Sequence, residues 1–141
     1  MECGECTLCC KLLNIKEVDS KPGEYCKHCD WGVGCKIYDQ RPESCKIFEC
    51  CWKQMEVAAE ELRPDKCNML FEKWSDKVIV GVTNKKISDL VMNQINSFRK
   101  EGISSLILDH SEKTKTFYLV PGHTKDFVKQ EIDNSIKSRR N

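Results

Sequence analysis

The chain has 141 residues and a net charge of +1, from 23 basic and 22 acidic side chains. That balance supplies no global field to recruit nucleic acid or an anionic membrane, and no apolar run approaches the ~20 residues needed to cross a bilayer. Its 11 cysteines follow a start, Met1-Glu2-Cys3-Gly4-Glu5-Cys6, with neither the basic nor the apolar region of a secretory signal. The expected address is therefore the cytoplasm, where dense thiols indicate metal rather than disulfides.

Ten cysteines precede Trp52, and only Cys67 follows. So sharp a shift divides the chain into a cysteine-cluster module over 1–53, a helical bridge over 54–70 and a small α/β unit over 71–141. The first part is punctuated by Lys21-Pro22-Gly23, Trp31-Gly32-Val33-Gly34 and Arg41-Pro42, and turns so closely spaced leave little apolar surface to bury. Structural zinc contributes about 10–16 kcal/mol of apparent binding free energy in small modules, so metal is the expected staple and a condition for folding here. From Trp52 to about Leu62, the residues Met55, Val57, Ala58, Ala59 and Leu62 favour a short helix, which Pro64 should end.

The remainder reads as ordinary secondary structure. Lys77 to Thr83 is a β-branched strand. Ile87, Leu90, Val91, Ile95 and Phe98 recur at helical spacing after a cap at Ser88 or Asn84, with Gly102 as the exit. Ile103 to Leu108 and Thr116 to Val120 are strands flanking a polar hairpin loop, His110 to Lys115. Thr124 caps a last helix carrying Phe127, Val128, Ile132 and Ile136. The fold class is thus α+β, a metal-stapled, loop-rich cysteine half followed by a β-α-β-β-α unit.

Within the first part, Cys3-x-x-Cys6-x-x-Cys9-Cys10 carries the most chemistry. Two cysteines separated by two residues can curl onto one ion, with backbone amides around the turn stabilising the thiolates. Three at this period resemble the start of a ferredoxin-type cluster loop, which needs a fourth ligand from elsewhere. Adjacent side chains diverge, so Cys9 and Cys10 serve two sites or one polynuclear cluster better than one mononuclear ion. Cys26-x-x-Cys29, with His28 inside the loop and Cys35 beyond it, forms a second group. Cys45, Cys50 and Cys51 form a third. Three groups converging by folding allow two tetrahedral zinc sites, each with four donors, or one 4Fe-4S cluster with spare thiols.

The order of these residues resembles the YkgJ-type cysteine-cluster proteins, described as zinc- or iron-chelating. The likeness runs through Cys3-Gly4-Glu5-Cys6-Thr7-Leu8-Cys9-Cys10, Cys26-Lys27-His28-Cys29 and Gly34-Cys35-Lys36-Ile37-Tyr38. It continues in Arg41-Pro42-Glu43-Ser44-Cys45 and Phe48-Glu49-Cys50-Cys51-Trp52, then thins after Leu62-Arg63-Pro64-Asp65. The resemblance implies metal ligands at Cys3, Cys6, Cys9, Cys10, Cys26, Cys29, Cys35, Cys45 and Cys50. Nine thiols exceed the eight that two closed sites need, and Cys51 and Cys67 are expected to be spare.

Among the other polar residues, His28 is as good a turn residue as a ligand, whereas His110 and His123 are expected to be exposed. Arg41 should fix a turn and could offset thiolate charge. Trp31, Trp52 and Trp74 are expected as core or metal-shielding aromatics. The leading function is a non-catalytic metal-binding protein holding two zinc ions, with iron or a 4Fe-4S cluster as the alternative cofactor. A second possibility is an iron–sulfur redox or transferase enzyme; a related cysteine architecture is associated with flagellin lysine N-methylase, but the likeness stops at the cluster motif. A third is a metal-stapled adaptor for an unidentified protein or for nucleic acid, the latter disfavoured by the balanced charge. Metal ions are the expected partners, and no membrane is.

Overall fold

Val78, Ile79, Val80 and Val82 form the inner strand of a four-stranded sheet in the computed structural model, which describes residues 6–21, 23–48, 50–54 and 60–140. The strands are β3 (Leu70–Ser75), β4 (Val78–Thr83), β5 (Ser104–Asp109) and β6 (Thr114–Tyr118), in that spatial order. β3 and β6 pair antiparallel with their neighbours, whereas β4 and β5 run parallel. A parallel pair needs a crossover, and α5 (Asp89–Lys100) supplies it. Its start is set by Ser88, whose hydroxyl accepts the Val91 N–H at 3.3 Å. Such a cap is worth about 1 kcal/mol. The last helix, α6 (Lys125–Arg140), begins where Thr124 Oγ1 accepts the Phe127 N–H at 3.0 Å.

Strand side chains alternate between faces, and each face meets a different helix. Phe71, Ile79 and Ile107 pack with Val91, Ile95 and Phe98 of α5. Val78, Val80 and Leu106 pack with Val128 of α6. Val91, Ile95, Val78 and Val128 are wholly buried, each worth roughly 1.5–3 kcal/mol relative to exposure. The chain is therefore an α+β protein, and this unit has its own core. Its order is β-β-α-β-β-α, one strand more than the sequence reading, because Leu70-Phe71-Glu72-Lys73 does not alternate cleanly. Leu70 and Phe71 are both buried, in different clusters on opposite faces.

The expected 52–62 helix is shorter in its described part. α3 covers Cys51–Gln54, a 3-10 turn covers Glu60–Leu62, and Met55, Val57, Ala58 and Ala59 lie outside the described residues. The 3-10 turn stops at Leu62 and Arg63 is extended before the proline, as expected, but Pro64 also opens a new helix, α4 (Pro64–Cys67). Its fixed φ and missing N–H suit the first helical position. His123 also departs from expectation: it is half-buried, its Nδ1 lies 2.7 Å from Ser104 Oγ, and its ring packs 4.5 Å from Phe127. Of the tryptophans, Trp52 is buried and Trp74 half-buried, but Trp31 is 73% exposed at the tip of a short ribbon. Among the described residues no helix is long and apolar enough to cross a membrane.

Gly81 marks the tightest point of the sheet. A Cβ there would stand 2.6 Å from Ile107 Cδ1 and 2.9 Å from Met69 Sδ, inside the packed face beneath α5. Gly81→Ala should lower stability by about 1–3 kcal/mol through overpacking, read as a lower midpoint in urea with metal content unchanged.

Candidate metal centre

Thr7 begins the short helix α1 (Leu8–Leu12), whose Leu8 and Leu12 stand four residues apart and bury together. They meet Trp52, Cys50 and Leu70, with Val82 of β4 packed alongside. The segment that carries the first thiols is thereby fastened to the sheet at β3. Cys6 and Cys9 pack against this same apolar cluster. Cys10 faces the next piece of chain: its carbonyl accepts the Cys26 N–H at 2.9 Å, and the Lys11 carbonyl accepts from Gly23 at 2.7 Å.

The Cys26-x-x-Cys29 loop then turns on itself. Cys26 O accepts the Cys29 N–H at 2.9 Å, and the His28 N–H points to Cys26 Sγ at 3.5 Å. That amide-to-sulfur contact is the arrangement that stabilises a thiolate in a chelating turn. Strands β1 (Cys29–Asp30) and β2 (Gly34–Cys35) form a ribbon in which Cys29 stands opposite Cys35. Gly32, at φ 75°, makes the reversal between them and donates its N–H to Thr7 Oγ1 at 3.3 Å. Thr7 also hydrogen-bonds the Cys29 thiol, so one buried hydroxyl ties the ribbon to α1. Cys45 sits on α2 (Glu43–Ile47), which follows Arg41-Pro42.

These pieces enclose a cavity of about 140 Å³. Cys6, Cys9, Cys10, Cys26, Cys35, Cys45 and Cys50 line it, together with His28, Arg41 and apolar side chains that include Leu13, Ile15 and Phe48. Cys29 lies behind that wall, against Cys10 and Thr7. Cys3 lies outside the described residues. Cys9 and Cys10 both line the cavity, and their thiols are hydrogen-bonded to one another. The thiols share a wall without converging: among the described residues no three or more His, Cys, Asp or Glu side chains stand close enough to hold an ion as they are. A bound ion would have to draw them inward.

The protonation of these thiols follows from their surroundings. The hydrogen bond with Cys9, then burial, holds the Cys10 thiol far above the ordinary range. Burial and then Cys10 push Cys29 up to about 12. Cys45 is raised by burial and then by Cys10, Cys26 and Cys35. Crowded thiols cannot all ionise without a countercharge, so an arriving cation would displace protons as it binds. Arg41, stacked 4.0 Å over the Tyr38 ring, places one fixed positive charge in the wall. Among the described residues its guanidinium meets that aromatic face.

Two residues here escaped the sequence reading. Asp65 accepts a hydrogen bond from Cys6, and Arg63 grips the same carboxylate with Nε at 2.6 Å and Nη2 at 2.7 Å. The guanidinium, first among several causes, holds Asp65 below the usual carboxylate range. The other is Thr7. Only the Leu62-Arg63-Pro64-Asp65 string, recognised as part of the resemblance, pointed toward the first. Nothing local marked the second.

Cys51 and Cys67 leave the cavity altogether. Cys51 is buried with Met69, Phe71 and Ile79 beneath α5, and Cys67 packs against the same cluster. The Cys67 thiol donates to the carbonyls of Leu62 at 3.4 Å and Met69 at 3.5 Å. Burial pushes Cys51 up to about 12 and raises Cys67 as well, the condition of an inert structural thiol. No protein-family model matches the chain, and no curated protein or solved structure matches it.

Cys51→Ser and Cys67→Ala should each cost about 1–3 kcal/mol of stability, through a buried hydroxyl and lost packing respectively. Both variants should keep the full metal count by elemental analysis; loss of one equivalent in either would return that thiol to the ligand set.

Proposed function

We propose that this chain is a metal-binding protein that chelates zinc, with iron as the alternative, through the cysteine cavity and without catalysis of its own. The observation that carries the reading is that seven cysteines from residues 6 to 50 line one cavity. The titratable groups of that wall are thiols with one imidazole, one phenol and one guanidinium. Thiolate and imidazole are the donors that zinc prefers. The likeness of the motif to the YkgJ-type proteins agrees with this reading.

Anaerobic purification followed by elemental analysis and an absorption spectrum on one sample tests it. About two zinc per chain without a visible band is the expected result, the capacity of eight thiols. Iron with inorganic sulfide and broad visible absorption would move the function to a 4Fe-4S protein and reopen redox or transferase chemistry. A chain that retains no metal after dialysis would overturn the reading.

Metal removal should act unequally. The cores beneath α5 and α6 contain none of the cavity thiols. After chelation, backbone amides of β4 and β5 should stay protected in hydrogen exchange while those of residues 23–48 lose protection. Equal loss in both regions would mean that the sheet, too, depends on the ion.

A second reading, an adaptor for a protein partner, has one observation in its favour. Trp31 and Val33 are 73% and 65% exposed at the tip of the β1–β2 ribbon, between Cys29 and Cys35. Trp31→Ala should leave the metal count unchanged, and a partner that co-purifies with the parent chain should be lost from this variant.

A further inference from the structure

We propose that the cysteine cavity forms two adjoining centres of unequal lability: an inner one at Cys6, Cys9 and Cys50, and an outer one drawn from Cys10, Cys26, Cys29, Cys35 and Cys45 whose ion passes to other thiol ligands. This rests on the metal-binding reading and adds which thiols act together and what the outer ion is for.

Packing separates the two groups. Cys6, Cys9 and Cys50 all lie against the cluster of Leu8, Leu12, Trp52 and Leu70, which is continuous with the sheet. Moving them apart means breaking buried apolar contacts. The outer thiols have no such support. Among the side chains described from 21 to 46, and at Phe48, not one is buried. The ribbon has two residues per strand, and the segment reaches α1 through polar contacts: backbone N–H bonds from Gly23, Cys26 and Gly32, the Cys29 thiol's bonds to Thr7 and Cys10, and Lys11 over the Tyr25 ring. Segments with few buried contacts open locally at small cost, without unfolding the remainder.

The outer group is nevertheless a coherent set. Backbone bonding brings Cys26 to Cys10 and Cys29 to Cys26, and strand register sets Cys35 opposite Cys29. Cys45 lines the same cavity and lies close enough to Cys10, Cys26 and Cys35 for their charges to raise its pKa. The seam between the groups is the Cys9–Cys10 peptide, whose adjacent thiols both line the cavity and are hydrogen-bonded to one another, so the two centres meet there.

The chemistry of transfer is ligand exchange. An acceptor thiolate forms a bond to the ion as a bond to one outer cysteine breaks, and the freed thiolate takes up a proton from water or from the acceptor thiol. The charge on the ion is unchanged, and no oxidant or reductant enters. Five candidate donors for a four-coordinate ion let one sulfur leave before the ion is fully detached. The cargo this suits is a soft or borderline divalent cation, zinc or cadmium.

Cadmium-113 NMR of the full chain loaded with cadmium should give two resonances. On adding EDTA, one should disappear about tenfold faster or more, as expected where only one centre opens locally. Cys26→Ser with Cys35→Ser should remove the fast signal and keep the slow one. Cys9→Ser should remove or shift the slow one. A single resonance, loss of both signals in one phase, or loss of both in the Cys26/Cys35 variant while hydrogen exchange shows the sheet intact would overturn the division and leave the metal reading standing. The measurement on the unmodified chain decides the matter should a variant not fold. Binding of neither cadmium nor zinc would overturn the metal reading and, with it, this inference.

Discussion

Everything the cysteine segment does depends on one apolar contact, the packing of Leu8, Leu12 and Trp52 against Leu70 at the edge strand β3. Leu8 and Leu12 lie four residues apart, which puts them on one face of α1 and commits Cys9 and Cys10 to its flanks. Without that seat the first thiols would have no fixed relation to the sheet. The contact also sets the fate of two adjacent cysteines. Cys50 faces the Leu8 cluster and the cavity, whereas Cys51, one residue on, enters the core beneath α5. A single residue of chain thus separates a candidate ligand from a structural thiol.

Two sources of stability meet at this contact. The sheet and its helices are held by burial of aliphatic and aromatic side chains on both faces, as in any small α+β protein. The region around the ribbon buries no described side chain from 21 to 48, so its order comes from hydrogen bonds and, on the proposed reading, from a metal held by the thiols. Apolar burial alone cannot offset the entropy of fixing such a segment. Metal coordination can, because each thiolate bond acts between residues far apart in sequence and therefore closes large loops.

The polar residues around the cavity fit that division of labour. Arg41 is held by the Tyr38 ring, and Arg63 by Asp65, so each guanidinium is oriented before any ion arrives. Fixed positive charge beside thiols lowers the penalty of ionising them, the penalty that keeps Cys10, Cys29 and Cys45 protonated here. Thr7 contributes in another way. Its hydroxyl accepts from Gly32 and bonds Cys29, which sets the ribbon against α1 across some 25 residues of chain.

By itself the sequence determined the parts whose signals are local. The β-branched run of β4, the spacing of Val91, Ile95 and Phe98 under a Ser88 cap, and the Thr124 start of the last helix are short-range patterns. They come with their own hydrogen bonds, so they read correctly. The dense thiol spacing raised the metal-binding proposal. Tertiary structure alone decided the rest. Leu70 and Phe71 lack the buried–exposed alternation of a one-sided strand, because both faces are covered, one beside α1 and the other beneath α5. Trp31 stands in solvent at the tip of a ribbon whose pairing is set by backbone register. Asp65 meets Cys6, and Thr7 meets the ribbon, across sequence separations that no local pattern records. Which thiols share a wall is a property of packing, since a cysteine has the same local signature whether its sulfur faces the cavity or the core.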